Sequence, residues 1–93
     1  MSTESSQVVV RNNSDALRYE LVVDDDVVGE IDYRRSHDAI VLVHTEVSPA
    51  LAGRGLGGQL VAGALEDIRA QGLRVVAVCP FVRAYMRGHA ESA

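Results

Sequence analysis

The chain of 93 residues contains no lysine, and all nine of its cations are arginines. This removes two chemistries at once, a lysine Schiff base and the lysine of a Walker phosphate loop. Cysteine is nearly absent as well: Cys79 stands alone, so an internal disulfide is excluded and a reducing compartment is expected. No apolar run reaches about 18 residues, and no basic segment leads into an apolar one as in a signal peptide; we expect no membrane span and a cytoplasmic location. Positive charge is scarce too. The net charge is -4 and no basic stripe is visible, which speaks against nucleic acid as a partner.

What is present is the composition of an ordinary folded protein, with 47% apolar residues in a length that suits one two-layer core. Residues 1–7 are polar and serine-rich and are expected to be a disordered tail, leaving 8–93 as a single domain. Val8 to Val10 is a short β-branched run suited to an edge strand, and Arg11 to Asp15 reads as a turn. Leu17, Tyr19, Leu21 and Val23 alternate with Arg18 and Glu20, and Val27, Gly29, Ile31 and Tyr33 alternate with Glu30, Asp32 and Arg34. Two half-buried strands in a hairpin are expected, closed by Asp24 to Asp26. That triple aspartate lacks the spaced ligands, glycine and closing glutamate of a calcium loop, and no metal is expected.

Ile40 to Val47 is nearly all apolar, which suggests a central strand covered on both faces. Leu56, Leu60, Ala64 and Ile68, flanked by Val61 and Leu65, form a helical stripe that ends at Gly72 in the place of a left-handed cap. Leu73 to Cys79 is another short strand, and Phe81 to His89 has room for a short helix packing through Phe81, Val82, Tyr85 and Met86. The fold class is α/β (α+β): an antiparallel meander, one β-α-β crossover and a short C-terminal helix.

The most informative stretch is His44 to Leu60, where a strand passes through Gly53, Gly55, Gly57 and Gly58 into a helix. Glycines there expose backbone amides, and the helix start adds unpaired donors and positive dipole, which suits a phosphate. Gly53 to Gly58 literally satisfies G-x-G-x-x-G. A Rossmann domain, however, puts that loop after its first strand and an acid about 20 residues on, whereas here three strands come first and Arg74 to Pro80 holds no carboxylate. The Walker ending is missing as well.

The stretch resembles the GNAT family of N-acetyltransferases, which carries Gln/Arg-x-x-Gly-x-Gly/Ala between its central strand and main helix. Here that pattern falls on Ala52-Gly53-Arg54-Gly55-Leu56-Gly57, with Ala52 in the leading place and the arginine at Arg54. His44-Thr45-Glu46-Val47, the glycine loop, and Cys79-Pro80-Phe81-Val82 with Tyr85 and His89 are together similar to the minimal GNAT-like group of about a hundred residues. The resemblance runs from Leu17 to Glu91. It implies a fold truncated at the C-terminus, and acetyl-CoA (coenzyme A) bound through Val47, Gly53, Arg54, Gly55, Leu56, Gly57 and Gly58.

Acetyl transfer to an amine needs a base, a polarised carbonyl and an acid for the departing thiolate. Glu46 and His44, two residues apart on the central strand, are the candidate bases. Tyr85 falls where the resemblance implies a general acid. Cys79 resembles a residue near the cofactor thiol, and a transient acetyl-cysteine stays open beside direct transfer. The resemblance implies an acetyl-CoA-dependent N-acetyltransferase acting on an unspecified amine; the alternative is a non-catalytic CoA-binding or interaction module. A monomer and a homodimer are both compatible with the sequence.

Overall fold

In the computed structural model, residues 7–51 and 53–89 are described. They form β1 (Val8–Asn13), β2 (Arg18–Val23), β3 (Asp26–Arg35), β4 (Ala39–Val47), a single 3-10 turn (Pro49–Leu51), α1 (Leu56–Ala70), β5 (Arg74–Ala77) and α2 (Pro80–Gly88). The sheet order is β1-β2-β3-β4-β5. The first four strands are antiparallel neighbours, while β5 pairs parallel to β4, with α1 between the two in the chain. The expected tail lies outside the described residues except for Gln7. Its N–H donates to Asp24 Oδ1 and its C=O accepts from the Asp24 N–H, both at 3.0 Å.

The hairpin between β2 and β3 closes at Val23 opposite Asp26. Its loop is therefore two residues, Asp24 and Asp25, both at positive φ (49° and 74°), the conformation whose twist matches that of paired strands. β1 is longer than local turn propensity suggests. Arg11 to Asn13 continue as strand opposite Glu20, Tyr19 and Arg18, because the Arg11 and Asn13 side chains bond to Glu20 across the ladder.

The inward residues Tyr19, Leu21, Ile31, Tyr33, Ile40 and Leu42 meet the α1 stripe and Val82 of α2 in one core. Every apolar position expected on the α1 stripe is buried. Gly72, at φ 74°, follows the C-cap Gln71. Two expectations need correction. The β2–β3 register slips between Leu21 and Val22, leaving Val28 as an extra residue, so Val27 turns away from the core and is 46% exposed. β4 is flanked by β3 and β5, but the core is built on one face of the sheet; His44 and Glu46 are exposed and Val41 and Val43 only half-buried.

β1 is seated against α1 at Gly63, where an added Cβ would come within 2.6 Å of Val10 Cβ. Gly63→Ala therefore sets an overpacking cost of about 1–3 kcal/mol against a gain in helix propensity of about 1 kcal/mol. Thermal unfolding is expected to shift down by roughly 5 °C. A rise in melting temperature would show that β1 does not rest on this helix.

Candidate functional site

β4 and β5 pair only as far as Leu42 and Ala77. There the Leu42 carbonyl accepts from both the Val78 and Cys79 N–H groups at 3.0 Å, the segment after β5 turns away into α2, and β4 runs on to Val47 paired with β3 alone. The strands thus part into a wedge. A cleft of about 340 Å³ occupies it, with Thr45 and Val47 of β4 on one side, Leu51 and the glycine loop below, and Phe81 of α2 opposite.

The four loop glycines answer to different requirements. Gly53 (φ 85°) and Gly55 (φ 73°) are left-handed, and a Cβ on either would meet nothing within 4 Å, so backbone conformation alone requires them. Gly57 lies inside α1, and there the constraint is space: a Cβ would stand 2.7 Å from Phe81 Cζ. Gly58 has only ordinary contact with the Tyr85 ring. Gly55 is the N-cap of α1 and no side chain caps that end. The first-turn amides of Leu56, Gly57 and Gly58 therefore have no intrahelical acceptor. No acidic residue lies in that turn, and Arg54 is exposed beside it, so the positive end of the dipole is unopposed.

Cys79 is the N-cap of α2, followed by Pro80 in the first turn, and it is 4% exposed. Its Sγ lies 3.3 Å from Thr45 Oγ1. Burial raises the thiol pKa, but the Thr45 hydroxyl and the Val82 and Phe81 amides outweigh it, leaving the pKa below its ordinary value.

The other candidates lie elsewhere. Plain alternation from Leu42 would put His44 and Glu46 on the core face, but the β3–β4 register slips between Asp32 and Tyr33, leaving Val43 as an extra residue. The phase inverts: Thr45 and Val47 face the cleft, while His44 stands opposite Asp32 and Glu46 opposite Glu30 on the open face of the sheet. Tyr85 lines a neighbouring groove of about 420 Å³ between α1 and α2, with Glu66, Arg69 and Met86 among its walls. Its ring stacks on His89 at 3.9 Å, and His89 Nδ1 lies 2.8 Å from the Tyr85 carbonyl oxygen.

The structure thus sets Val47 and the glycine loop around the cleft with the buried Cys79 behind Thr45, turns His44 and Glu46 to the other face of the sheet, and places Tyr85 in the neighbouring groove with its ring beside Gly58. Three residues of the cleft, Leu51, Thr45 and Phe81, were not singled out from sequence. Thr45 was hidden by the bulge. Phe81, read as core, is 45% exposed, and its being the one phenylalanine was the available signal.

Among the described residues no helix is long and apolar enough to cross a membrane, and no group of three or more His, Cys, Asp or Glu side chains could hold a metal ion. A family model described as a GCN5-related N-acetyl-transferase matches residues 18–93. No curated protein matches the chain.

Proposed function

Because the chain belongs to the GCN5-related N-acetyltransferase family, we propose that it is an acetyl-CoA-dependent N-acetyltransferase acting on an amine, with the glycine loop as its pyrophosphate site. The observation that carries this reading is the wedge between β4 and β5. It carries the apolar side chains of Val47, Leu51 and Phe81, ends in uncapped amides beside Arg54, and adjoins a thiol whose pKa is lowered. These residues fit coenzyme A, since an anion meets donors without a competing carboxylate and an apolar arm meets Val47, Leu51 and Phe81. Acetyl-CoA would supply an activated acyl carbon and a thiol leaving group.

The chain's own residues would do the rest. The amides of Leu56 to Gly58 bind and orient, Arg54 adds charge, and Val47, Leu51 and Phe81 exclude water. Thr45 Oγ1 holds a hydrogen bond to Cys79 Sγ and favours the thiolate there. Glu46 and His44 would take a proton from an amine that approaches along the open face. A second reading, a CoA-binding module without catalysis, is favoured by the separation of those two side chains from the cleft.

Calorimetry with coenzyme A tests the cofactor; absence of binding at millimolar ligand overturns it. Acceptor-dependent release of free thiol then divides the two readings, because a pure binder releases none. Cys79→Ala is expected to abolish that release while coenzyme A affinity persists, and unchanged turnover would remove Cys79 from the reaction.

A further inference from the structure

We infer that the acceptor amine carries a second positive charge, as an alkyl diamine does, and that Glu30 and Asp32 of β3 recognise that charge on the open face of the sheet. The inference rests on the acetyl-transfer reading above and names the substrate class for it. Glu20, Glu30 and Glu46 stand side by side in one row across β2, β3 and β4, and Arg18, Asp32 and His44 form the next row. Like charges directly opposite one another destabilise an antiparallel pair, so a row of three glutamates breaks a rule of strand pairing. Such breaches are expected where a surface serves a ligand. The cations at hand do not relieve it. Arg11 is bonded to Glu20, and Arg18 is shared between Glu20 at 2.9 Å and Glu30 at 3.5 Å. Arg34, next along that face, stands opposite Val41. Among the described residues neither it nor Asp32 nor Glu46 forms an ion pair.

The row of glutamates adjoins a cavity. A groove of about 350 Å³ lies where β3 begins and β4 ends, with Glu30 and Glu46 beside Val27, Val47 and Pro49. The Ser48 N–H donates to the Val28 carbonyl at 2.8 Å and ties its walls together. Val47 lines both this groove and the cleft between β4 and β5, so the two meet at that side chain. A methylene stem matches Val27, Val47 and Pro49, and a charged end matches the carboxylates. The two strands divide the work. On β4, Glu46 and His44 take the proton of the reacting nitrogen. As that nitrogen bonds to the acyl carbon, the carbon–sulfur bond breaks, sulfur keeps the electron pair, and the proton shed by nitrogen ends on the departing thiol. On β3, Glu30 and Asp32 hold the nitrogen that does not react. Neighbours across such a ladder stand about 5 Å apart at Cβ and diagonal ones about 7–8 Å, a distance that a diamine of about four or five carbons spans.

The test compares 1,4-diaminobutane with 1-aminobutane, which has the same stem and a single charge. In acceptor-dependent thiol release the diamine is expected to exceed the monoamine about tenfold in kcat/KM. Glu30→Gln is expected to collapse that ratio by raising KM for the diamine with little change in kcat, and Asp32→Asn to do so in smaller measure. Calorimetry of 1,4-diaminobutane, with and without coenzyme A, is expected to show binding that Glu30→Gln weakens about tenfold. Equal turnover of the two amines, or equal losses for both in Glu30→Gln, overturns the recognition of a second charge. If coenzyme A binds and no amine releases thiol, the catalytic reading is overturned instead. The diamine titration then decides the charge site by itself: no binding, or binding indifferent to Glu30→Gln, overturns it.

Discussion

Gly58→Asp is expected to keep the fold and lose the coenzyme. Gly58 is the third residue of α1, in a first turn that has no acid and no side-chain cap. A carboxylate there meets the positive end of the helix dipole, worth about 0.3–1 kcal/mol. A Cβ at this position makes only a 3.6 Å contact with Tyr85 Cε2, so the side chain has room. Melting temperature should hold or rise by a few degrees. The same carboxylate would stand roughly 5 Å from a bound pyrophosphate, and at an effective dielectric of about 20 one such repulsion costs about 3 kcal/mol. Coenzyme A affinity should fall about a hundredfold. Gly58→Asn, similar in shape and uncharged, should keep most of it. Undiminished affinity in Gly58→Asp would place the pyrophosphate elsewhere, and loss of folding would contradict the helix end described here.

The second large effect concerns stability and lies on the opposite face of the sheet. Glu20 is a carboxylate with a side chain only 3% exposed, and it accepts hydrogen bonds from Arg11 Nε at 3.0 Å, Asn13 Nδ2 at 3.0 Å and Arg18 Nε at 2.9 Å. These bonds, Asn13 and Arg18 foremost, outweigh burial and hold its pKa at about 2 against an ordinary 4.5. Because the folded value lies below the unfolded one, the unfolded chain binds more protons as the pH falls. The contribution of Glu20 is complete above pH about 5.5, declines below 4.5 and is gone once the pH passes below 2.

Acid unfolding followed by circular dichroism should show this decline, and Glu20→Gln should flatten it between those limits. At neutral pH, Glu20→Ala is expected to cost about 2 kcal/mol, or roughly 10 °C. The cost stays below that of breaking a fully buried pair because the Arg11 and Arg18 side chains are 57% and 36% exposed and can turn to water. A flat pH profile in the unaltered protein, or a Glu20→Ala variant as stable as the parent, would show that this buried cluster carries no weight. The same substitutions should leave the cleft intact, since Glu20 and the glycine loop are on different layers of the molecule.

Much of the molecule follows from the order of its residues. The period of α1 is written in Leu56, Leu60, Ala64 and Ile68, the presence of a hairpin turn in the run of aspartates, and the strand-to-helix junction in its glycines. These are local properties, set by φ preferences and by which side chains prefer to leave water, so they can be read one segment at a time. The tertiary structure decided whatever depends on register between strands. One extra residue, Val28, turned Val27 outward, and another, Val43, put Thr45 rather than His44 or Glu46 beside Cys79. A bulge is chosen by how two strands pair, and alternation within either strand does not record it. The same holds for Gly57, whose neighbour across space is a ring 24 positions further along the chain. Sequence alone marked the loop as a place for an anion; the pairing of β3, β4 and β5 decided which side chains stand around it, because a slip of one residue exchanges the two faces of a strand.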